Sequence, residues 1–272
     1  MKTRIITGFL LFGITIYLLW FTSNVFFLIA SSVLFLPVAW EWASLAGLRS
    51  LLAQLSFLLI FIFLLVLLYF QLIPNLLWLW INAFVMGWAI YKLYRFNKGK
   101  TVLKERSKYH KCLNIFLGWI LISSMWLAIN LMRLSPFSPN WLFLLVAIIA
   151  STDIGGYFVG RYCGRYKLLP KVSPKKTVEG LLGGLALAFI IGSGIIYLFP
   201  MPFYINRLHL LPLIGLISIL SVLGDLFESM LKREINLKDS GKILPGHGGV
   251  LDRLDGYLFA LPVYALISIY LL

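Results

Sequence analysis

The chain has 272 residues, of which 61% are hydrophobic and only 12% charged, and its mean hydropathy is +0.93. So few polar side chains cannot cover a soluble globule of this length, which excludes a soluble enzyme. The net charge is +14, from 24 Lys and Arg against 10 Asp and Glu. No soluble module with interleaved aromatic residues accompanies that charge, so we expect no nucleic-acid partner. The composition predicts an all-α integral membrane protein.

Nine hydrophobic runs lie along the chain, each close to the roughly 20 residues that cross a bilayer. The first resembles a signal peptide in length, but no A-x-A-like cleavage site follows it, so we interpret it as a membrane span. We predict one polytopic membrane domain over residues 1–272 with about nine transmembrane helices. The predicted spans are Ile5–Trp20, Asn24–Trp40, Leu51–Phe70, Leu76–Leu93, Leu113–Leu131, Trp141–Gly160, Val178–Phe199, Leu210–Leu231 and Gly256–Leu272.

The positive residues follow the connections between these spans. If the N-terminus is cytoplasmic, all Lys and Arg except Arg133 and Arg207 lie on the cytoplasmic side. The pattern therefore predicts a cytoplasmic N-terminus and a C-terminus on the outer side, in a cell (inner) membrane. The basic stretch from Lys92 to Lys111 fits either a topology signal beside anionic lipid head groups or a functional surface, and both interpretations stay open.

Acidic residues are scarce and concentrated in the second half of the chain. Only Glu41 and Glu105 precede position 150. An ionisable residue in a membrane span costs about 2.5 to 3.5 kcal/mol on insertion scales and usually marks a site. We therefore predict scaffold helices over 1–111 and catalytic helices with cytoplasmic loops over 112–272. The remaining acidic residues are Asp153, Glu179, Asp225, Glu228, Glu234, Asp239, Asp252 and Asp255.

Two motifs around the sixth and seventh predicted spans combine charge with small residues. In "STDIGGYFVGR", Asp153 follows an apolar run, and glycines every fourth residue favour close helix packing. In "KVSPKKTVEG", Ser173, Lys175, Lys176 and Thr177 precede a helix start. Hydroxyl, ammonium and free N–H groups there can bind phosphate, and the same residues also fit an ordinary cap, with Thr177 as the N-cap.

The eighth predicted span ends in "SVLGDLFESMLKRE", where helical spacing places Asp225, Glu228, Ser229 and Lys232 on one face. After the loop "LPGHGG", "DRLD" places Asp252 and Asp255 at the last span. Asp225 lies inside the hydrophobic run, so it should be paired or bind a metal. Paired carboxylates at one membrane level suit Mg²⁺ and its phosphate ligands, whereas the isolated cysteines predict no disulfide or zinc site.

The segment "SMLKREINLKDSGKILPGHGGVLDRLD" resembles the signature of the phosphatidate cytidylyltransferases, also called CDP-diacylglycerol synthases. "STDIGGYFVGR", "KVSPKKTVEG" and "AWEWASLAG" are similar to that family's earlier motifs, so the resemblance covers nearly the whole chain. It implies a nine-helix membrane fold, and the reaction of CTP with phosphatidate to give CDP-diacylglycerol and pyrophosphate.

The resemblance also implies roles for individual residues. Asp225 and Asp252 would hold Mg²⁺, with a second cation beside it. Lys232, Arg233 and Lys238 would neutralise phosphates, and His247 would bind a phosphate or orient Asp252, although a structural role for this histidine stays open. The same motifs place other residues beside the substrates, CTP and the membrane lipid phosphatidate: Asp153, Ser173, Lys175, Lys176, Thr177, Glu228, Ser229, Asp239, Arg253 and Asp255.

Two other functions use the same ingredients. A membrane lipid kinase would transfer the γ-phosphate of CTP to a polyprenol-type alcohol. A transporter would place its carboxylates near the bilayer midplane in repeated halves, whereas these carboxylates gather at one face without a visible repeat. The small-residue stripes on the sixth and seventh predicted spans fit packing within the chain or a homodimer contact equally well.

Overall fold

The computed structural model describes residues 13–99, 108–135, 138–199, 210–243 and 248–271. Within these ranges the protein is an all-α integral membrane protein, as predicted, with seven helices long and apolar enough to cross a bilayer. These are α1 (Asn24–Leu45), α2 (Leu51–Tyr69), α3 (Asn75–Asn97), α4 (Lys108–Arg133), α5 (Ser138–Tyr162), α6 (Val178–Leu198) and α7 (Leu211–Glu234). A short helix, α8 (Leu251–Leu254), leads into α9 (Tyr257–Leu271).

The predicted spans match these helices closely. The second to eighth spans correspond to α1–α7, and the ninth corresponds to α9. Of the first span, the structure describes only residues 13–20, and these are helical. The largest differences lie at helix ends: α1 continues past Trp40 to Leu45, α3 continues past Leu93 to Asn97, and α4 begins at Lys108 instead of Leu113. Helical hydrogen bonding continues past the apolar segment there, so hydrophobicity alone underestimates helix length.

Aromatic side chains link α1, α7 and α9 at the centre of the bundle. Trp42 of α1 is fully buried, and its indole N–H donates to the Asn114 carbonyl of α4 at 2.8 Å. The ring of Phe227 lies 6.4 Å from that of Trp42 and 5.5 Å from that of Phe259. Helix α1, from the half predicted to be scaffold, is therefore packed directly against α7, from the half predicted to be catalytic.

Helices α5 and α6 pack through the two small-residue stripes. A Cβ at Gly155 would lie 2.6 Å from the Gly183 carbonyl oxygen, and one at Gly184 would lie 2.5 Å from the Thr152 carbonyl oxygen. Glycine is thus required by close backbone approach at both positions. Because this contact forms within one chain, the stripes no longer provide a separate argument for a homodimer, which stays a prediction.

A two-stranded antiparallel sheet connects α5 to α6, where the sequence had indicated only a loop. Strand β1 (Lys167–Leu169) pairs with β2 (Ser173–Thr177), with Lys167 opposite Thr177. The carboxylate of Glu179 accepts the backbone N–H groups of Arg165 and Tyr166, at 3.0 and 3.2 Å. This β-hairpin is therefore fixed to the start of α6, and its basic side chains have a defined position.

Candidate active site

A cavity of about 650 Å³ opens between α5, α6, α7 and the β-hairpin. Its walls combine glycines with charged side chains from elements far apart in the sequence. The predicted site residues Asp153, Lys175, Lys176, Thr177 and Asp225 all line it. The structure therefore brings the three predicted polar segments of α5, β2 and α7 to one place. Arg161 and Lys167, which the sequence analysis had counted only as basic connection residues, line it too.

Lys176 and Asp225 form an ion pair across this cavity. The Nζ atom of Lys176 lies 2.5 Å from Oδ2 of Asp225, and both side chains keep about a quarter of their surface exposed, 26% and 28%. Ser229, one turn along α7, donates its hydroxyl hydrogen to Oδ1 of Asp225 at 3.2 Å. Asp225 therefore has a charged partner, as expected for a carboxylate inside an apolar run. Its carboxylate also remains open to a small ligand.

Asp153 is exposed and faces the same space. It interacts electrostatically with Lys176, Asp225 and Arg253. Two carboxylates, one basic residue of β2 and one basic residue of α8 therefore share a small region. The cavity is suited to a ligand that carries both phosphate groups and a bound cation.

The β2 residues divide between structure and binding. Thr177 is buried and caps α6, because its hydroxyl oxygen accepts the Gly180 N–H at 3.1 Å. The cap interpretation is therefore confirmed for Thr177. Lys175 is exposed at the cavity, whereas Ser173 begins β2 and is not among the residues that line the cavity. Both lysines of β2 and Thr177 therefore line the cavity, but the Thr177 hydroxyl oxygen is already used in the helix cap.

A second cluster is centred on Lys232. Its Nζ atom lies 2.6 Å from Oε2 of Glu228 and 2.7 Å from Oδ1 of Asp252. Glu228 is fully buried, and Lys232 is 8% exposed. A single ammonium group therefore joins α7 to α8 and balances two carboxylates in a region with little water. Asp225 forms an ion pair with Lys176, whereas Glu228 and Asp252 form ion pairs with Lys232. Spacing alone had suggested two pairs of neighbouring carboxylates instead.

Asp252 is held by donors on both oxygens. Besides Lys232, its Oδ2 atom accepts the backbone N–H groups of Gly249 at 2.8 Å and Ser240 at 2.9 Å. Burial raises the pKa of the Asp252 carboxyl, but the hydrogen bonds from Lys232, Gly249 and Ser240 outweigh burial and lower the pKa below its usual value. Asp252 is therefore an ionised carboxylate throughout the neutral range.

Asp255 lies between the two clusters. It is half-buried, and its Oδ1 atom accepts the N–H of Gly256 at 2.7 Å. Burial raises the pKa of its carboxyl well above the usual value, and the negative charges of Asp225 and Glu228 raise it further. Asp255 therefore connects the cavity electrostatically with the Lys232 cluster.

The remaining predicted residues lie at the surface or outside the described ranges. Arg233, Lys238, Asp239 and Arg253 are exposed. A Cβ at Gly248 would lie 3.5 Å from Asp239 and 2.8 Å from Oδ2 of Asp252, so the glycine segment passes close to both acids. His247 falls outside the described residues.

Glu41 is the most informative residue that the sequence analysis missed. It lies on α1, in the half predicted to be scaffold, yet it is 2% exposed and contacts the segment that carries Asp252. Its position directly after the predicted span Asn24–Trp40, in the motif "AWEWASLAG", was the available signal, because an ionisable residue at the edge of a span usually marks a site.

Lys92 was also misplaced, because it was counted with a basic connection. It is 3% exposed within α3, and its Nζ atom lies 3.0 Å from Oε1 of Glu234. The His110 Nε2 atom lies 3.1 Å from Oε2 of Glu234, and Asn114 accepts from Lys92 at 3.1 Å. This cluster joins α3, α4 and α7 beside the site, so Lys92 is structural rather than a surface charge.

Within the described ranges, no three or more His, Cys, Asp and Glu side chains form a set that could hold a metal by themselves. Asp225 and Asp252, the predicted metal ligands, lie in the two neighbouring clusters. Since Mg²⁺ commonly binds one or two protein carboxylates together with water and substrate phosphates, a complete protein ligand set is not required.

Comparisons with known proteins identify the family of this chain. A family model described as "Cytidylyltransferase family" matches residues 2–271. The chain is 31% identical to the phosphatidate cytidylyltransferase of Pseudomonas aeruginosa over 97% of this chain and 96% of that protein. It is 38% identical to the enzyme of that name from Bacillus subtilis over 57% of this chain and 59% of that protein. The corresponding Staphylococcus haemolyticus protein is 46% identical over 45% of this chain and 46% of that protein. The chain thus belongs to the cytidylyltransferase family, as its motifs predicted.

Proposed function

We propose that this protein is a phosphatidate cytidylyltransferase, which converts CTP and phosphatidate into CDP-diacylglycerol and pyrophosphate. The observation that carries the proposal is the cavity in which the Lys176–Asp225 ion pair joins the β-hairpin to α7. Both basic side chains and carboxylates line this cavity, so it suits two phosphate-bearing substrates and a cation. The names of the relatives supply the substrates.

The reaction needs positioning and charge neutralisation more than acid–base chemistry. A phosphate oxygen of phosphatidate forms a bond to the α-phosphorus of CTP, and the bond from that phosphorus to the β-phosphate oxygen breaks as pyrophosphate leaves. The phosphate of phosphatidate is already ionised near neutral pH, so no strong base is required. Lys175, Lys176, Arg161 and Lys167 bind phosphate oxygens, and Lys232 stabilises the charge near Asp252.

The carboxylates of Asp225 and Asp252 are suitable ligands for a magnesium ion. Asp225 is contacted by the flexible side chains of Lys176 and Ser229, which can move aside, and Asp252 is kept ionised by Lys232 and two backbone N–H groups. We propose that these two carboxylates hold Mg²⁺, with phosphate oxygens and water as further ligands. When bound, the ion neutralises triphosphate charge and stabilises the leaving pyrophosphate. A second cation stays a prediction.

The distribution of Lys and Arg supports a topology for this site. We propose nine spans in the inner membrane, a cytoplasmic N-terminus, a C-terminus on the outer side and an active site facing the cytoplasm. We retain the division into scaffold helices over 1–111 and catalytic elements over 112–272, with Glu41 as a contribution of the first part to the second. CTP, a cytoplasmic nucleotide, would then reach the cavity directly.

A turnover assay on the purified protein tests the substrates. We expect CDP-diacylglycerol from CTP and phosphatidate, little product when ATP, GTP or UTP replaces CTP, and loss of turnover when a chelator removes Mg²⁺. Equal turnover with all four nucleotides, or none with CTP, would contradict the proposal.

A further inference from the structure

The carboxylate of Glu41 binds the segment that carries Asp252. Its Oε2 atom accepts the Ser240 hydroxyl at 3.0 Å and the Leu251 N–H at 2.8 Å, and its Oε1 atom accepts the Val250 N–H at 3.1 Å. All three donors belong to residues that are more than 180 positions away in the sequence. One side chain of α1 thus contacts both described parts of the chain that precedes Asp252, residues 240–243 and 248–251, which we call the loop segment.

Asp252 binds the same loop segment from its other side. It accepts the N–H groups of Ser240 and Gly249, while Glu41 accepts the Ser240 hydroxyl and the N–H groups that follow Gly249. The two carboxylates therefore share Ser240 as a common partner. A movement of the loop segment that breaks the Glu41 contacts would also displace the donors that orient Asp252.

The glycines of the loop segment explain how so tight an arrangement fits. A Cβ at Gly241 or Gly249 would overlap the Glu41 carboxylate. These glycines therefore allow the loop segment to approach a carboxylate from the predicted scaffold half closely.

We propose that Glu41 is a positioning residue for the Asp252–Lys232 cluster. It acts without touching substrate, by holding Ser240, Val250 and Leu251 where their neighbours orient Asp252. The two carboxylate oxygens of Glu41 accept from all three donors. A glutamine would direct an NH₂ group at these donors, and displacement of a catalytic group by about 1 Å can cost a hundredfold in rate.

The test compares Glu41→Gln with a matched substitution on the same helix. Ser31 is 6% exposed on α1 and bonds Asn130 of α4, without contact to the loop segment. Ser31→Ala therefore reports the cost of removing a buried polar contact elsewhere on α1. Both variants are purified in detergent and measured by hydrogen–deuterium exchange, by thermal unfolding, and by turnover with CTP and phosphatidate.

In Glu41→Gln we expect faster exchange confined to peptides that cover 240–251, and turnover lowered about tenfold to a hundredfold with the KM for CTP within about threefold of the unaltered protein. Ser240→Ala, which removes one of the three donors, should lose less. Ser31→Ala should keep turnover within about twofold. If Glu41 served stability alone, Glu41→Gln would lower the unfolding temperature, as Ser31→Ala does, and the turnover of each folded molecule would stay unchanged.

Normal turnover of Glu41→Gln would overturn the inference, and so would unchanged exchange over 240–251. The activity arm rests on the proposed function, whereas the exchange arm does not. An unaltered protein that fails to convert CTP and phosphatidate would contradict the proposed function alone. An active unaltered protein with an equally active Glu41→Gln variant would contradict the positioning role alone.

Discussion

Lys176 of β2 lies 2.5 Å from Asp225 of α7, at a cavity that Asp153 of α5 also lines. Lys176 and Asp225 are separated in the sequence by the whole of α6 and the first part of α7. Their ion pair shows how the packing of apolar helices brings charged side chains together. In the free protein the ammonium group compensates the carboxylate, and both groups remain partly exposed to an incoming ligand.

Replacing Lys176 by methionine tests whether this ion pair serves binding. We expect Lys176→Met to lower kcat/KM about tenfold to a hundredfold, because a charge-assisted phosphate contact is lost. Lys171→Met is the matched control, since Lys171 is an exposed lysine in the turn of the same β-hairpin and does not line the cavity. Steady-state kinetics on both variants decide the matter. Equal losses would indicate a general effect of β-hairpin charge.

Asp255 predicts a stability that depends on pH. Burial, together with the charges of Asp225 and Glu228, raises its pKa in the folded protein. The folded protein therefore holds this proton more tightly, and the contribution of Asp255 to stability declines as pH rises from the unfolded value of about 3.9 through the folded pKa. Asp255→Asn mimics the protonated form, so it should remove that decline.

The measurement is the apparent unfolding temperature between about pH 4 and pH 8 in detergent. The difference between Asp255→Asn and the unaltered protein should grow as pH rises. The charges of Lys176 and Asp153 also act on Asp255. Both residues are therefore kept in the two proteins that are compared. A difference that stayed constant with pH would show that Asp255 does not titrate as described.

Lys92 should contribute to stability because its ion pair with Glu234 is buried. Lys92→Met removes the ammonium group and leaves His110 as the remaining side-chain partner of Glu234, which we expect to cost about 3 to 5 kcal/mol and lower the unfolding temperature by at least about 5 °C. Lys98→Met, at the exposed end of α3, is the control. Thermal unfolding monitored by circular dichroism checks both. A Lys92→Met protein as stable as the control would mean that the buried pair contributes no net stability.

The α5–α6 contact can be tested with two glycines of one helix. An added methyl group at Gly184 meets the Thr152 backbone, whereas one at Gly194 has open space around it. Gly184→Ala should therefore destabilise the protein by about 1 to 3 kcal/mol. Gly194→Ala should be neutral or slightly stabilising, because alanine favours helix more than glycine does. Equal effects of the two substitutions on the unfolding temperature would contradict the packing described.

Much of this architecture follows from local pattern. Apolar length identifies α1–α7, the Thr177 cap identifies the start of α6, and helical spacing places Asp225 and Ser229 on one face, where they hydrogen-bond. These features depend on residues within a few turns of each other. The motif resemblance then identifies the family.

Long-range partners are not visible in such patterns. Local spacing does not predict three contacts of the site, because each depends on how whole helices pack. These contacts are the ion pairs Lys176–Asp225 and Lys232–Asp252 and the hydrogen bond from Ser240 to Glu41. The β-hairpin also escaped prediction, since strands of three and five residues show too little periodicity to be recognised.

The fate of labelled phosphate tests the central claim most directly. The purified protein is incubated with phosphatidate and with CTP that carries its label at either the α- or the γ-phosphate. We predict that the α-label appears in lipid and the γ-label in pyrophosphate in equal amounts, and that Asp225→Asn lowers both by at least about a hundredfold while remaining folded. Appearance of the γ-label in lipid, or unchanged α-label transfer by Asp225→Asn, would contradict cytidylyl transfer at this cavity.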